Sequence, residues 1–178
     1  MHNGKRLAEI LELHGKFIRG QEGGVRADLA GADLARADLR GARLAYANLR
    51  GANLEGANLR DASLTFADLS EANLTRADLR KSDCTEAKFT RANLSEAQLT
   101  GVELFRADLE GANLQRASLV GTNFRDANVR GANFRGADMT TTILRETKLD
   151  GVDLSGLDLS TTLMPRGWKP SSPEEVKK

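Results

Sequence analysis

Ala27-Asp28-Leu29-Ala30-Gly31-Ala32-Asp33-Leu34-Ala35-Arg36 opens a five-residue unit, Ala-Asp/Asn-Leu-x-x, whose phase never slips as far as Leu159. Counting central residues from Leu29 gives 27 copies, and Thr162 with Met164 fits a twenty-eighth. A period of five is neither the 3.6 of a helix nor the 2 of a flat strand. Two positions per unit are apolar: the small one is Ala in 20 of 27 units and the centre is Leu in 21 of 27. Gly recurs at the last position, as at Gly31, Gly41, Gly111 and Gly136, where a turn needs positive φ. A chain that turns every five residues with a Leu and an Ala pointing inward coils round a narrow, filled interior. That is a solenoid. The Asp or Asn ahead of each Leu is suited to hydrogen-bond the nearby backbone and steady the turn.

These tandem units resemble the pentapeptide-repeat family, over about three quarters of the chain. The resemblance implies an all-β fold, a right-handed quadrilateral parallel β-helix with one pentapeptide per side and four per coil, so about seven four-sided coils here. The opening, from Leu13-His14-Gly15-Lys16-Phe17 through Gly23-Gly24-Val25-Arg26-Ala27, also resembles a helix-plus-linker start common in bacterial members. The residues carry their own sign of four sides. Departures from Ala at the small position, Ser82, Val102, Thr122 and Thr142, lie twenty residues apart, and Thr162 continues the series, although Ala42 and Ala62 hold the same place earlier. Seven coils at a strand spacing of ~4.7–4.9 Å give a rod of roughly 33 Å. Phe89, Phe124, Phe134, Met139 and Val129 replace Leu at the centre, which predicts a bulkier, wider or locally bent C-terminal half. The small position loosens last, at Thr147, Val152 and Leu157.

Three segments follow: 1–26, a capping helix and Gly-rich linker; 27–164, the repeat; and 165–178, a C-terminal cap and disordered tail. Leu7, Ile10, Leu11, His14, Phe17 and Ile18 form one apolar stripe at helical spacing. Such a helix shields the open apolar end of a stacked rod. His14 reads as a packing residue of that stripe rather than a ligand. Leu163, Met164 and Trp168 are the candidates for covering the last coil, with Pro165 stopping the repeat.

The composition excludes several classes. Across 178 residues the formal charge is +1, so no bulk field draws nucleic acid or anionic lipid. The repeat itself holds 17 basic and 20 acidic residues, net −3. One cysteine, Cys84, permits no internal disulfide and favours a reducing compartment. The first residues do not form a signal peptide and no apolar run reaches ~18–20 residues, so the expected location is the cytoplasm. Cys84 sits at a central Leu position and is expected to be buried and inert. His2 and His14 lie outside the repeat, without a Cys or carboxylate set at ligand spacing. No catalytic, cofactor or metal site is read, and no phosphate-cradling Gly-rich loop occurs.

Two surface columns stand out. Arg40, Arg60 and Arg80 share one outward position twenty residues apart and stack as a basic ladder, with Asp38 and Asp78 two residues away to neutralise it in part. Tyr46 and Phe66 lie one coil apart at the last outward position, with Phe105 on the same side two coils later. Exposed aromatics often mark interfaces. The reading is a non-enzymatic, rigid protein-binding or scaffold module with a protein partner of unknown identity, as a monomer or an end-to-end dimer. The alternative is a DNA-mimicking modulator or protector of DNA gyrase or topoisomerase, as some members of the resembled family are. Duplex DNA carries about one negative charge per 1.7 Å, so a 33 Å mimic needs roughly 20 net negatives. A net charge of −3 disfavours gyrase as the partner. Direct nucleic-acid binding has only three arginines and no aromatic platform.

Overall fold

The computed structural model describes residues 6–169. Leu7–Ile18 is the helix α1. It turns Ile10 and His14 inward and half-buries Leu7 and Leu11 against the repeat. Phe17 departs from the expected stripe: it stays 39% exposed and stacks on His14, ring centroids 5.7 Å apart. The linker then doubles back, with the Val25 amide donating to the Leu13 carbonyl at 3.0 Å. Gly24 lies against the helix backbone, where a Cβ would sit 2.4 Å from the Phe17 nitrogen.

From Asp28 the chain coils with a turn of twenty residues. Twenty-two parallel bridges join residue i to i+20, from Asp28 and Asn48 to Ile143 and Leu163. Twenty residues is four units, so each unit makes one side. Among the described residues each side offers one bridged residue between turns, because the chain bends every fifth residue.

The unit satisfies its own backbone. The small residue's amide donates to the central carbonyl three back, as Ala32 to Leu29 at 3.0 Å, closing a β-turn. The Asx amide reaches the preceding coil, as Asn48 to Ala27 at 2.9 Å. The central and fifth amides reach the following coil, as Leu29 to Asn48 at 2.7 Å and Gly31 to Arg50 at 2.8 Å. The fourth amide goes to the Asx side chain of its own unit, as Ser70 to Asp68 Oδ1 at 2.9 Å. That last bond explains the Asp/Asn preference, since a short side-chain acceptor two residues back suits this donor. All five donors are then used, as a buried backbone requires.

Each fifth position from Gly31 to Gly156 has positive φ, whether Gly or not. Such a residue at the third place of the turn is the type II arrangement. Fifteen non-Gly residues accept it, including the β-branched Thr141 at φ 53. Asn side chains add a second ladder, as Asn73 Nδ2 to Asn53 Oδ1 at 3.2 Å and Asn113 Nδ2 to Asn93 Oδ1 at 3.1 Å.

Leu and Ala fill the interior. Each Leu removed from water contributes about 1.5–3 kcal/mol before entropy is subtracted. Phe124 and Phe134 meet edge to face across the core at 5.9 Å. Thr122, Thr142, Thr147 and Thr162 stand where Ala belongs, and each hydroxyl donates to a carbonyl 23 residues back, as Thr122 Oγ1 to Leu99 at 2.7 Å. Buried hydroxyls are thereby satisfied.

The ladder opens at the last coil. No bridge joins Asn133 to Asp153 or Asp138 to Asp158, and the amides of Gly131, Phe134, Gly136 and Met139 have no backbone partner. The coil closes again at Leu144, whose amide meets the Leu163 carbonyl at 2.8 Å. Met164 and Trp168 pack against the core as expected. Leu163 does not: it occupies an outward position and is 43% exposed. The tail expected at the C-terminus lies outside the described residues beyond 169.

Candidate functional site

Tyr46 and Phe66 occupy left-handed corners, φ 65 and 59, so their side chains leave the rod at its edge. Their positions differ by one coil, and the rings lie parallel, centroids 5.0 Å apart and planes 3° apart. That spacing matches the strand step of ~4.7–4.9 Å, so the backbone itself sets the stack. The rings remain 47% and 45% exposed, and α1 does not cover them. A stacked pair is worth about 0.5–1.5 kcal/mol beyond its burial. Ordered in this way, the pair forms a flat apolar ledge. Arg26 and Glu86, both exposed, continue its column on either side.

Phe105 does not join them. It is partly buried at the neighbouring register, and the Arg106 guanidinium lies 4.9 Å from its ring centroid. That cation–π contact occupies the face a partner would use.

The arginine column is neutralised at two of three places. Arg40 Nη2 lies 3.1 Å from Asp38 Oδ2. Arg80 grips Asp78 with both Nε and Nη2, at 2.8 and 2.6 Å. The guanidinium of Arg80 holds the Asp78 carboxyl below its usual range. Asp38 is lowered as well, first by the Arg40 amide and then by its side chain. Arg60 faces Asn58 in place of Asp, and among the described residues it makes no ion pair. A continuous basic stripe therefore does not form.

His14 exceeds its expected part. It is fully buried, and its Nδ1 accepts the Ala27 amide at 3.0 Å, fastening α1 to the first unit. Its Nε2 is buried without a partner. Burial lowers the imidazole pKa, with Arg26 acting the same way and the Ala45 backbone opposing. The spacing from His14 to the first repeat was the available signal, but a bond across thirteen residues cannot be read from helical periodicity. Cys84 is buried beside Ser82 Oγ at 3.5 Å, and desolvation pushes its thiol up to about 12. A thiol so held is a poor nucleophile. Among the described residues no His, Cys, Asp or Glu cluster could hold a metal, and no helix is long and apolar enough to cross a membrane.

The family model for pentapeptide repeats matches residues 25–61, 57–95, 67–104, 103–140 and 131–164. Among solved structures, HetL from Nostoc sp. strain PCC 7120, a pentapeptide-repeat protein involved in heterocyst differentiation regulation, is 31% identical, with a TM-score of 0.56. The match covers 78% of this chain and 81% of HetL. Rfr23 from Cyanothece 51142 is 35% identical over 48% of this chain, with a TM-score of 0.47, and this chain spans 58% of its length. Trypsin-treated QnrB1, a plasmid-mediated fluoroquinolone resistance protein, is 20% identical over 75% of this chain and 83% of its own, with a TM-score of 0.49. No curated protein sequence matches the chain.

Proposed function

The chain belongs to the pentapeptide-repeat family, and from that premise we propose that it is a non-enzymatic cytoplasmic scaffold, a right-handed rod of about seven coils that presents fixed side-chain columns to a protein partner. The observation that carries this reading is the Tyr46–Phe66 ledge, stacked by the backbone yet nearly half exposed. An aromatic pair already ordered loses little rotamer entropy on binding, and rigid aromatic anchors dominate interface energetics. The neutralised arginine column argues for shape over charge as the means of recognition.

The test is capture from a cell extract at micromolar bait, comparing the wild type with the Tyr46→Ser/Phe66→Ser variant at matched circular dichroism. A saturable partner held by the first and lost from the second supports the reading. No saturable partner, or equal capture by both, overturns it. A DNA gyrase supercoiling assay, with and without a quinolone, is expected to show no inhibition and no protection.

A further inference from the structure

We infer that the crevice where α1 crosses the side 42–46 is a docking site for an acidic segment of a partner protein, one that carries a large apolar side chain between carboxylates. The inference deepens the scaffold reading and rests on it, since it names the partner's chemistry.

The cap leaves this place uneven. Along the next coils of the same side the small residues Ala62 and Ser82 are buried, whereas Ala42 is only partly so. Leu11, Gly15 and Ala42 line a crevice of about 300 Å³ together with the exposed side chains of Glu12, Arg19 and Arg43. That volume is at the lower bound of ligand sites, ~300 Å³, and suits one large side chain. Gly15 keeps the crevice open, because the nearest atoms to a Cβ added there belong to the Arg19 guanidinium, with Nη1 at 3.4 Å. Glycine in a helix interior weakens the helix, and here it leaves apolar surface within reach.

The charge around the crevice is unspent. On the helix wall, Arg19 Nε donates to Gln21 Oε1 at 2.9 Å. That bond steadies the guanidinium, while Nη1 and Nη2 have no partner among the described residues. A guanidinium so placed is ready for a bidentate carboxylate. On the repeat wall, Arg43 stands where the unit carries Asp or Asn. The amides of Ala35 and Arg40 donate to Asp33 and Asp38, but Arg43 has no acceptor to offer Ala45. The repeat gives up a turn bond here and gains a cation at the crevice. Arg26, exposed one coil step from Tyr46, adds a third. Among the described residues none of these three arginines makes an ion pair, and Glu12 is held by Lys16 at 3.6 Å. A field of this sign draws carboxylates.

Apolar exposure gathers at the same end. Of the five large apolar residues exposed among the described ones, Phe17, Val25, Tyr46 and Phe66 belong to it. Arg43 and Tyr46 are three residues apart, so their Cα atoms lie within about 11 Å. A partner laid on the aromatic ledge therefore reaches the crevice with a few residues of chain. The floor takes its apolar side chain, and the arginines of the two walls take the acidic neighbours.

The probe is a fluorescein-labelled ten-residue peptide with a central Leu flanked by two Glu on each side, titrated into the full chain by anisotropy. Control peptides carry Lys for Glu or Ala for Leu, and each is expected to bind at least about tenfold more weakly. Gly15→Leu fills the crevice with a better helix former, so affinity falls about tenfold or more while the melting temperature holds or rises. Arg43→Asn restores an acceptor for the Ala45 amide and weakens binding without loss of stability. Absence of saturation below about 1 mM peptide overturns the proposal. So does equal binding of either control peptide, or unchanged affinity in either variant. Capture through Tyr46 and Phe66 is measured without this peptide, so the two readings fail separately.

Discussion

The two ends of the rod solve the same problem differently. At the N-terminal end α1 lies across the first coil, Gly24 meets the helix backbone and His14 holds the Ala27 amide. At the C-terminal end Met164 and Trp168 cover the last coil, but along 131–139 that coil lacks the backbone ladder to its neighbour. The difference lies in the small position. Beneath α1 that position is Ala throughout, whereas the last coil has Thr142, Thr147, Val152 and Leu157. Val152 and Leu157 fall twenty residues after Ala132 and Ala137, next to the enlarged centres Phe134 and Met139 of the coil before, so volume is added in two adjoining coils. A close-packed interior has no slack for that. Backbone bonds between the coils are lost there, while Phe134, Met139, Leu154 and Leu157 stay buried in one continuous core. A solenoid is closed by its packing volume before it is closed by its hydrogen bonds.

Substitutions can break that contrast or sharpen it. The largest effect belongs to the closed region: Leu94→Asp puts an unpaired carboxylate in the middle of the stack and abolishes cooperative unfolding by circular dichroism. A melting temperature within a few degrees of wild type would show that the stack does not depend on its centre. Gly24→Ala comes next. Its Cβ meets helix backbone that cannot step aside, so α1 unseats at a cost of roughly 3 kcal/mol, or about 6–12 °C for a chain of this length. Val152→Ala/Leu157→Ala works in the opposite direction at the other end. It removes the added volume and lets the coil settle, so the Phe134 amide gains protection from exchange until it matches Leu114. Unchanged exchange there would break the volume argument.

Acid probes the closed end more gently. Burial lowers the His14 pKa, so the folded chain takes up a proton less readily than the unfolded one, whose imidazole titrates near 6.5. Its contribution is whole above about pH 6.5 and is lost as pH falls from there through the lowered folded value. The bond to Ala27 goes with it, worth about 1 kcal/mol. Chemical denaturation at pH 7.5 and 5.5 should show that decline in the wild type and a smaller one in His14→Gln. The smallest effect is Thr141→Gly, which relieves a β-branched residue at φ 53 and raises stability by about 1 kcal/mol in the same assay.

The sequence made the repeat legible because one residue choice recurs in register. Ser82, Val102, Thr122 and Thr142 announced a twenty-residue coil, and the bridges follow that count. The Asx preference announced its bond to the turn, and Asp38 and Asp78 announced the partial neutralisation of Arg40 and Arg80. What stayed hidden needs a third dimension. Tyr46 and Phe66 fall one coil apart in the sequence, but their burial depends on where α1 lies, and the spacing that groups Phe105 with them does not show that its ring belongs to Arg106. Leu163 reads as a cap because it is apolar, while its register turns it outward. The larger residues at Val152 and Leu157 are visible in the sequence, but which backbone bonds are missing beside them shows only in the packed layers.

The twenty-residue step also makes the molecule a ruler with indivisible gradations. Removing a whole coil, such as 87–106, would shorten the rod by one step and leave each later column on its own side, because residue i still finds a neighbour twenty places on. Removing five residues keeps the repeat motif intact in print yet moves each later column round by one corner. The ledge at Tyr46 and Phe66 and the last coil's side at Gly151–Gly156 would then change their direction relative to each other. Length in this protein is counted in fives by its motif and in twenties by its geometry, and only the second count preserves which surfaces share a side.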